Sequence, residues 1–157
     1  MNISVDLVAP CSVRELFAWV DDLGGYPKWM GLVHRADPLV DATATSPAWN
    51  VELRARIGPF ARSKRLTMVR TIFEHSDSRD DNSPSRVVFE RTESDGRKHS
   101  VWRLSAMAAP CEAGSRLNMQ LHYGGGLWTG GLVERALHDE IEASRERLLS
   151  LIAATTP

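Results

Sequence analysis

Arg116-Leu117-Asn118-Met119-Gln120-Leu121-His122-Tyr123-Gly124-Gly125-Gly126 is the stretch in which the chain changes its period. Up to Tyr123 the apolar residues alternate. Leu117, Met119, Leu121 and Tyr123 point inward, while Asn118, Gln120 and His122 point outward, as in a half-buried strand. Beyond the glycines the spacing becomes helical. Gly130, Val133, Leu137, Ile141, Ser144, Leu148 and Leu151 mark one stripe, and Glu134, Arg135, Glu142, Arg145 and Glu146 fall mostly on other faces. The pattern predicts a helix over residues 127–152, about 39 Å long at ~1.5 Å per residue, enough to cross a small domain.

Upstream of this switch the chain reads almost entirely as strands and turns. Residues 49–57 alternate most cleanly, with Trp49, Val51, Leu53, Ala55 and Ile57 on the inner side. Gly58-Pro59 turns the chain into a long strand over residues 62–74. Its register is ambiguous, because Leu66, Met68, Arg70 and Ile72 share one face while Val69 and Phe73 take the other. Residues 75–85 are polar and turn-rich, hence a loop. Residues 86–93 and 98–108 read as strands joined through Asp95-Gly96, a hairpin dipeptide that tolerates positive φ. Residues 110–114 form another turn, and residues 32–40 a further strand weakened near Pro38.

At the other end, Ile3, Val5 and Leu7 place a strand over residues 2–8. Ala9-Pro10 breaks it. Ser12 and Glu15 then have capping-box spacing ahead of Val13, Leu16, Phe17 and Val20 at helical intervals. Tyr26-Pro27-Lys28-Trp29-Met30 forms a second short helix or turn. The order is therefore strand, one or two short helices, six strands and a long helix. Consecutive strands with short connections form an antiparallel meander. One face of such a sheet must be covered, and the last helix is the only element long enough to do so. The expected fold is α+β, a curved seven-stranded antiparallel sheet around a C-terminal helix, in a single domain over residues 1–157.

The sequence of 157 residues is 43% hydrophobic and 25% charged, with a net charge of -1. A core of that size needs no disulfide or metal staple. The near-neutral charge, with acids mixed among the bases, excludes the basic stripe of a nucleic-acid binder. Arg62, Lys64 and Arg65 read as a solvated strand face. Cys11 and Cys111 lie far apart and read as thiols in a reducing cytoplasm. The first eight residues lack a signal-peptide pattern, and no apolar run approaches the ~20 residues that span a bilayer. The expectation is a cytoplasmic protein, monomer or homodimer, with no integral membrane association.

The motif Val13-Arg14-Glu15-Leu16-Phe17-Ala18-Trp19-Val20, followed by Leu23-Gly24-Gly25-Tyr26-Pro27-Lys28-Trp29, resembles the START-like (SRPBCC) superfamily. Its nearest subgroup is the polyketide cyclase/dehydrase and lipid-transport family. The strand ending in Tyr123, the glycine hinge and the helix carrying Leu148-Leu149 match as well, so the resemblance covers nearly the whole chain. It implies the helix-grip fold. It leaves the activity open among aromatase/cyclases, lipid carriers, quinone-binding proteins and ribosome-associated toxins, because a shared fold does not transfer an activity.

No Gly-x-Ser-x-Gly elbow and no His-Glu-x-x-His zinc motif is present. The histidines are scattered, so no metal site and no cofactor is expected. The cluster Gly124, Gly125, Gly126, Gly130 and Gly131 lacks the phosphate-loop arrangement and reads as a hinge beside which a pocket can open. Trp29, Met30, Trp49 and Phe60 are candidates for an apolar ligand site. So are Met68, Phe89, Trp102 and Met119 on the strands, and Trp128, Val133 and Leu137 at the helix. Arg91 follows Val87 and Phe89 with period two, and Arg70 shares a face with Met68: each either points inward, where it needs an acid or an anionic ligand, or sits at a strand end or across a bulge and reaches water. Tyr123 and His34 are further groups able to hydrogen-bond a ligand oxygen.

The leading expectation is a non-catalytic binder or carrier of a small hydrophobic molecule, lipid-like or aromatic. The alternative is an aromatase/cyclase, in which Arg70, Arg91, Tyr123 or His34 lines the cavity and polarises carbonyls. A third reading is an interaction protein of the toxin or respiratory-chain kind, which requires a contiguous exposed apolar patch.

Overall fold

Ser12 starts the first helix as its spacing predicts. The Glu15 backbone N–H donates to Ser12 Oγ at 3.2 Å, and the Ser12 N–H donates to Glu15 Oε2 at 2.8 Å, which satisfies two otherwise orphaned groups. The computed structural model describes residues 1–75, 79–125 and 131–155. The order is β1 (Asn2–Ala9), α1 (Val13–Phe17), a 3-10 helix (Leu23–Lys28), β2 (Val33–Pro38), β3 (Ala48–Ile57), β4 (Phe60–Glu74), β5 (Ser85–Arg91), β6 (Trp102–Cys111), β7 (Gly114–Tyr123) and α2 (Gly131–Thr155).

The seven strands form one antiparallel sheet ordered β1-β7-β6-β5-β4-β3-β2. Strands β2 to β7 are a meander, and β1 adds to the outer edge of β7. Ile3, Val5 and Leu7 stand opposite Leu121, Met119 and Leu117, so two apolar rows meet on the inner face. The expected helix-grip α+β architecture is the observed one. Helix α2 packs against both β1 and β3, near opposite ends of the sheet. The expected start of α2, with Gly126 and Gly130, lies outside the described residues. Its buried stripe is Val133, Leu137, Ser144, Leu148 and Ile152, while Leu151 is half-buried.

The Tyr-Pro and Trp motif builds core. The Tyr26 hydroxyl donates to the Val20 carbonyl at 2.9 Å, and Trp29 Nε1–H donates to the Trp19 carbonyl at 3.1 Å. Tyr26 also lies edge-on to Phe89, whose ring meets Trp49 in turn at 5.5 Å. Each polar tip has a partner while each ring buries its apolar area.

Two sequence expectations are corrected. The register of β4 is ambiguous in sequence because the strand shifts register against β5 between Arg70 and Ile72. The extra residue reverses which side chains face inward. Phe73, rather than Ile72, therefore joins the α1 side, 5.9 Å from the Phe17 ring. Asp95-Gly96 does not close a tight hairpin: β5 ends at Arg91 and β6 begins at Trp102. Asp95 is engaged locally, accepting from the Arg97 N–H at 3.0 Å and from His99 Nε2 at 2.8 Å, and the chain between the strands folds on itself.

The β6–β7 turn depends on Gly114. Its φ is +132°, and a Cβ there would collide with the Ala9 carbonyl oxygen of β1. Gly114→Ala should cost about 2 kcal/mol or more. Gly58→Ala, at φ +59° with nothing near it, should cost about 1 kcal/mol. Urea denaturation of the two variants checks the order.

Candidate functional site

The inner face of the sheet and α2 do not close completely. Between them lies a cavity of about 90 Å³. Its walls come from every layer: Val5 and Leu7 of β1, Val51 and Leu53 of β3, Leu66 and Met68 of β4, Trp102 and Leu104 of β6, Met119 and Leu121 of β7, and Ile141 and Leu148 of α2. Leu23, Trp29, Met30 and Leu32 close it from the 3-10 helix and the turn after it. Among the described wall residues the polar side chains are Ser144 and Arg145.

Both are occupied in fastening the helix. Ser144 Oγ donates to the Glu140 carbonyl at 2.7 Å and accepts the Gly31 N–H at 3.1 Å. Arg145 Nε donates to the Asp6 carbonyl of β1 at 3.0 Å, and Arg147 Nη1 donates to the Trp29 carbonyl at 2.8 Å. Neighbouring residues of one helix thus tie it to the chain before β2 on one side and to the β1 edge on the other.

Five of the residues expected at a ligand site line the cavity: Trp29, Met30, Met68, Trp102 and Met119. Trp49 and Phe89 are buried in the aromatic cluster with Tyr26 instead. Val133 and Leu137 are buried on α2, but the cavity lies further along, at Ile141 to Leu148. Phe60 stands at the tip of the β3–β4 hairpin opposite Ile57 and is 71% exposed, because the turn carries it past the edge of the covered face. Trp128, a further candidate for the ligand site, lies outside the described residues. Ile3, Val5, Leu23, Leu32 and Leu148 belong to the wall although the site reading did not select them. The alternation of residues 2–8 signals Ile3 and Val5 and the helical stripe signals Leu148, whereas no periodic pattern points to Leu23 or Leu32. Ser144, a small polar residue in that apolar stripe, marked the place.

None of Arg70, Arg91, Tyr123 and His34 lines the cavity. His34 is exposed. Arg70 lies over the Phe73 ring at 4.0 Å. Tyr123 is buried, stacked on Trp102 at 4.9 Å, with its hydroxyl donating to Met1 Sδ at 2.8 Å. Arg91 faces inward and finds an acid: its Nε is 3.0 Å from Glu93 Oε1, and its side chain is only 9% exposed. Its Nη2 donates to His99 Nδ1 at 3.2 Å, which leaves the ring proton on Nε2 to bond Asp95. Beside this group Lys64 places Nζ 5.4 Å from the centre of the Trp102 ring and 3.3 Å from Ser100 Oγ. Burial, and then the Arg91 charge, hold the Lys64 ammonium below its ordinary range. No group of three metal-ligating side chains occurs among the described residues, and no described helix is long and apolar enough to cross a membrane.

Solved structures share this arrangement of sheet and helix. Human StAR-related lipid transfer protein 5 superposes with a TM-score of 0.74 at 10% identity, over 98% of this chain and 76% of its own. At that identity the likeness is one of fold, a START-like sheet wrapped on a C-terminal helix. A Thermus thermophilus protein matches with a TM-score of 0.69 at 15% identity over 100% of both chains. A START superfamily protein from Mycobacterium smegmatis matches at 0.65 and 14%, over 99% of each. No protein-family model matches the sequence, and no curated protein matches it significantly.

Glu93 offers a test of the polar group beside the cavity. Burial pushes its carboxyl up, but the Thr67 N–H and Arg91 outweigh burial and hold it below the usual glutamate range. A depressed carboxylate stabilises the fold above its unfolded pKa and loses that contribution as pH falls through the folded value. Glu93→Gln should therefore be about 1–3 kcal/mol less stable than the parent at pH 7. The gap should close as pH falls through and below the ordinary glutamate range. Chemical denaturation across pH checks it.

Proposed function

We propose that the protein binds or carries a small hydrophobic molecule in the space between the sheet and α2. The observation that carries this reading is a cavity walled by carbon and sulfur from β1, β3, β4, β6, β7, α2 and the 3-10 helix. Ligand sites are usually concave and apolar, with few polar groups. A dry apolar void is costly, because its lining atoms lack neighbours, and an apolar guest restores those contacts.

Volume limits the guest. An apolar cavity of roughly 150 Å³ holds a benzene molecule, and ligand pockets commonly reach roughly 300–1,000 Å³. At about 90 Å³ the space admits a small group as it stands. A larger guest requires the wall to re-pack. Met30, Met68 and Met119 are the side chains suited to that, being unbranched and polarisable. The lipid-transfer protein among the structural matches supports the direction of this reading, at a sequence identity that speaks for fold alone.

An aromatase/cyclase working through Arg70, Arg91, Tyr123 or His34 has less support, since none of the four lines the cavity. An interaction surface has less support as well. Val40, Phe60, Val101 and Leu132, all strongly exposed, belong to different parts of the chain.

The test is occupancy. A set of medium-chain alcohols and fatty acids should bind with one-to-one stoichiometry by native mass spectrometry, and the fluorescence of Trp29 and Trp102 in the wall should shift on binding. Leu121→Trp, which fills the cavity from β7, should weaken the tightest of these ligands about tenfold or more while the protein keeps its melting temperature within a few degrees. Equal binding by the parent and the filled variant would refute the site.

A further inference from the structure

Lys64 is placed on the inner face of β4, in register with Leu53 and on the same side as Leu66 and Met68. Leu66 and Met68, two and four residues along that face, are cavity wall. Trp102, whose ring lies under Nζ, is wall too. The ammonium therefore stands at the border of the apolar space rather than on the solvated face that the run Arg62, Lys64, Arg65 suggests.

Its charge is uncompensated. Among the described residues no carboxylate lies within ion-pair distance of Lys64. The nearby acids have other partners: Glu93 accepts from Arg91 and from the Thr67 N–H, and Asp95 accepts from His99 and the Arg97 N–H. Glu134 of α2 lies towards Tyr123. Among the described residues the hydrogen-bond partner of Nζ is Ser100 Oγ, a neutral hydroxyl, at 3.3 Å. Arg91 Nη1 donates to the same atom, also at 3.3 Å. Two cations thus converge on one hydroxyl oxygen, within two hydrogen bonds of each other. Two half-screened positive heads so close together repel, and a small anion is what relieves that arrangement.

We propose that Lys64, with Ser100 and Arg91 beside it, receives the anionic head of an amphiphile, a carboxylate or phosphate, whose apolar tail enters the cavity past Trp102. This rests on the cavity reading above and adds the charge of the guest to it. Arg91 is already paired with Glu93 and sets the positive field; Lys64 makes the direct contact. Trp102 borders both environments, with the ammonium over its ring and its side chain in the cavity wall.

The probes are octanoic acid, octan-1-ol and acetate, titrated calorimetrically at pH 7. Octanoate should bind about tenfold more tightly than octan-1-ol, the worth of one charge-assisted hydrogen bond. Acetate, a head without a tail, should not displace it. Lys64→Met should bring octanoate down to the affinity of the alcohol, and Lys64→Arg should keep the preference. Equal binding of acid and alcohol by the parent would overturn the head-group site while leaving the apolar cavity in place. So would an equal loss of both in Lys64→Met. Binding of neither by the parent would overturn the cavity reading itself. Displacement of octanoate by acetate would reduce the site to a simple anion contact and overturn the amphiphile.

Discussion

The structure depends on how α2 is held over the sheet. Ser144, Arg145 and Arg147 bond to main-chain atoms of Gly31, Asp6 and Trp29, which belong to opposite sides of the scaffold. Backbone atoms cannot yield as side chains do, so these bonds fix the height of the helix. Ser144 also sits in the buried stripe, where a leucine would reach down to the sheet. The residue that anchors the helix is thus the one that fails to fill the space under it. Anchor and void have one origin.

That origin explains why the fold was legible and the void only in part. Periodicity reports which face of an element is covered, and the alternation at residues 49–57 and 116–123, with the helical stripe behind it, was sufficient to assemble the sheet and its covering helix. It does not report how far apart two covered faces stand. Trp29, Met68 and Trp102 line the space, while Trp49 and Phe89, equally apolar and equally inward, fill core against Tyr26. Which role an aromatic ring takes is decided by its neighbours across the layers, and these are not adjacent in sequence. Where the period itself failed, at residue 71, the cause was a bulge, which pattern counting cannot place.

Charge on the inner face follows the same division. Apolar positions dominate where α2 lies closest, and cations appear where β4, β5 and the chain before β6 meet. Arg91 shows how the fold tolerates an inward charge: an acid two residues away, a serine and a histidine share its donors. A buried arginine without such company would be expensive. The loop from β5 to β6 is long because it supplies these partners, which a two-residue hairpin could not.

The pairing of β1 with β7 has a consequence in time. The Met1 amino group and the Tyr123 carbonyl that meet at the end of this ladder are 122 positions apart. At roughly 5–20 residues per second of synthesis, the first strand leaves the ribosome roughly 6–24 s before its partner strand β7 exists. During that interval Ile3, Val5 and Leu7 have no partner row, and the edge of the growing meander stays open on the β7 side. Sheet closure is then a late event with high loop-closure cost. The nascent chain is most exposed to wrong partners just before the helix that covers the sheet has been made.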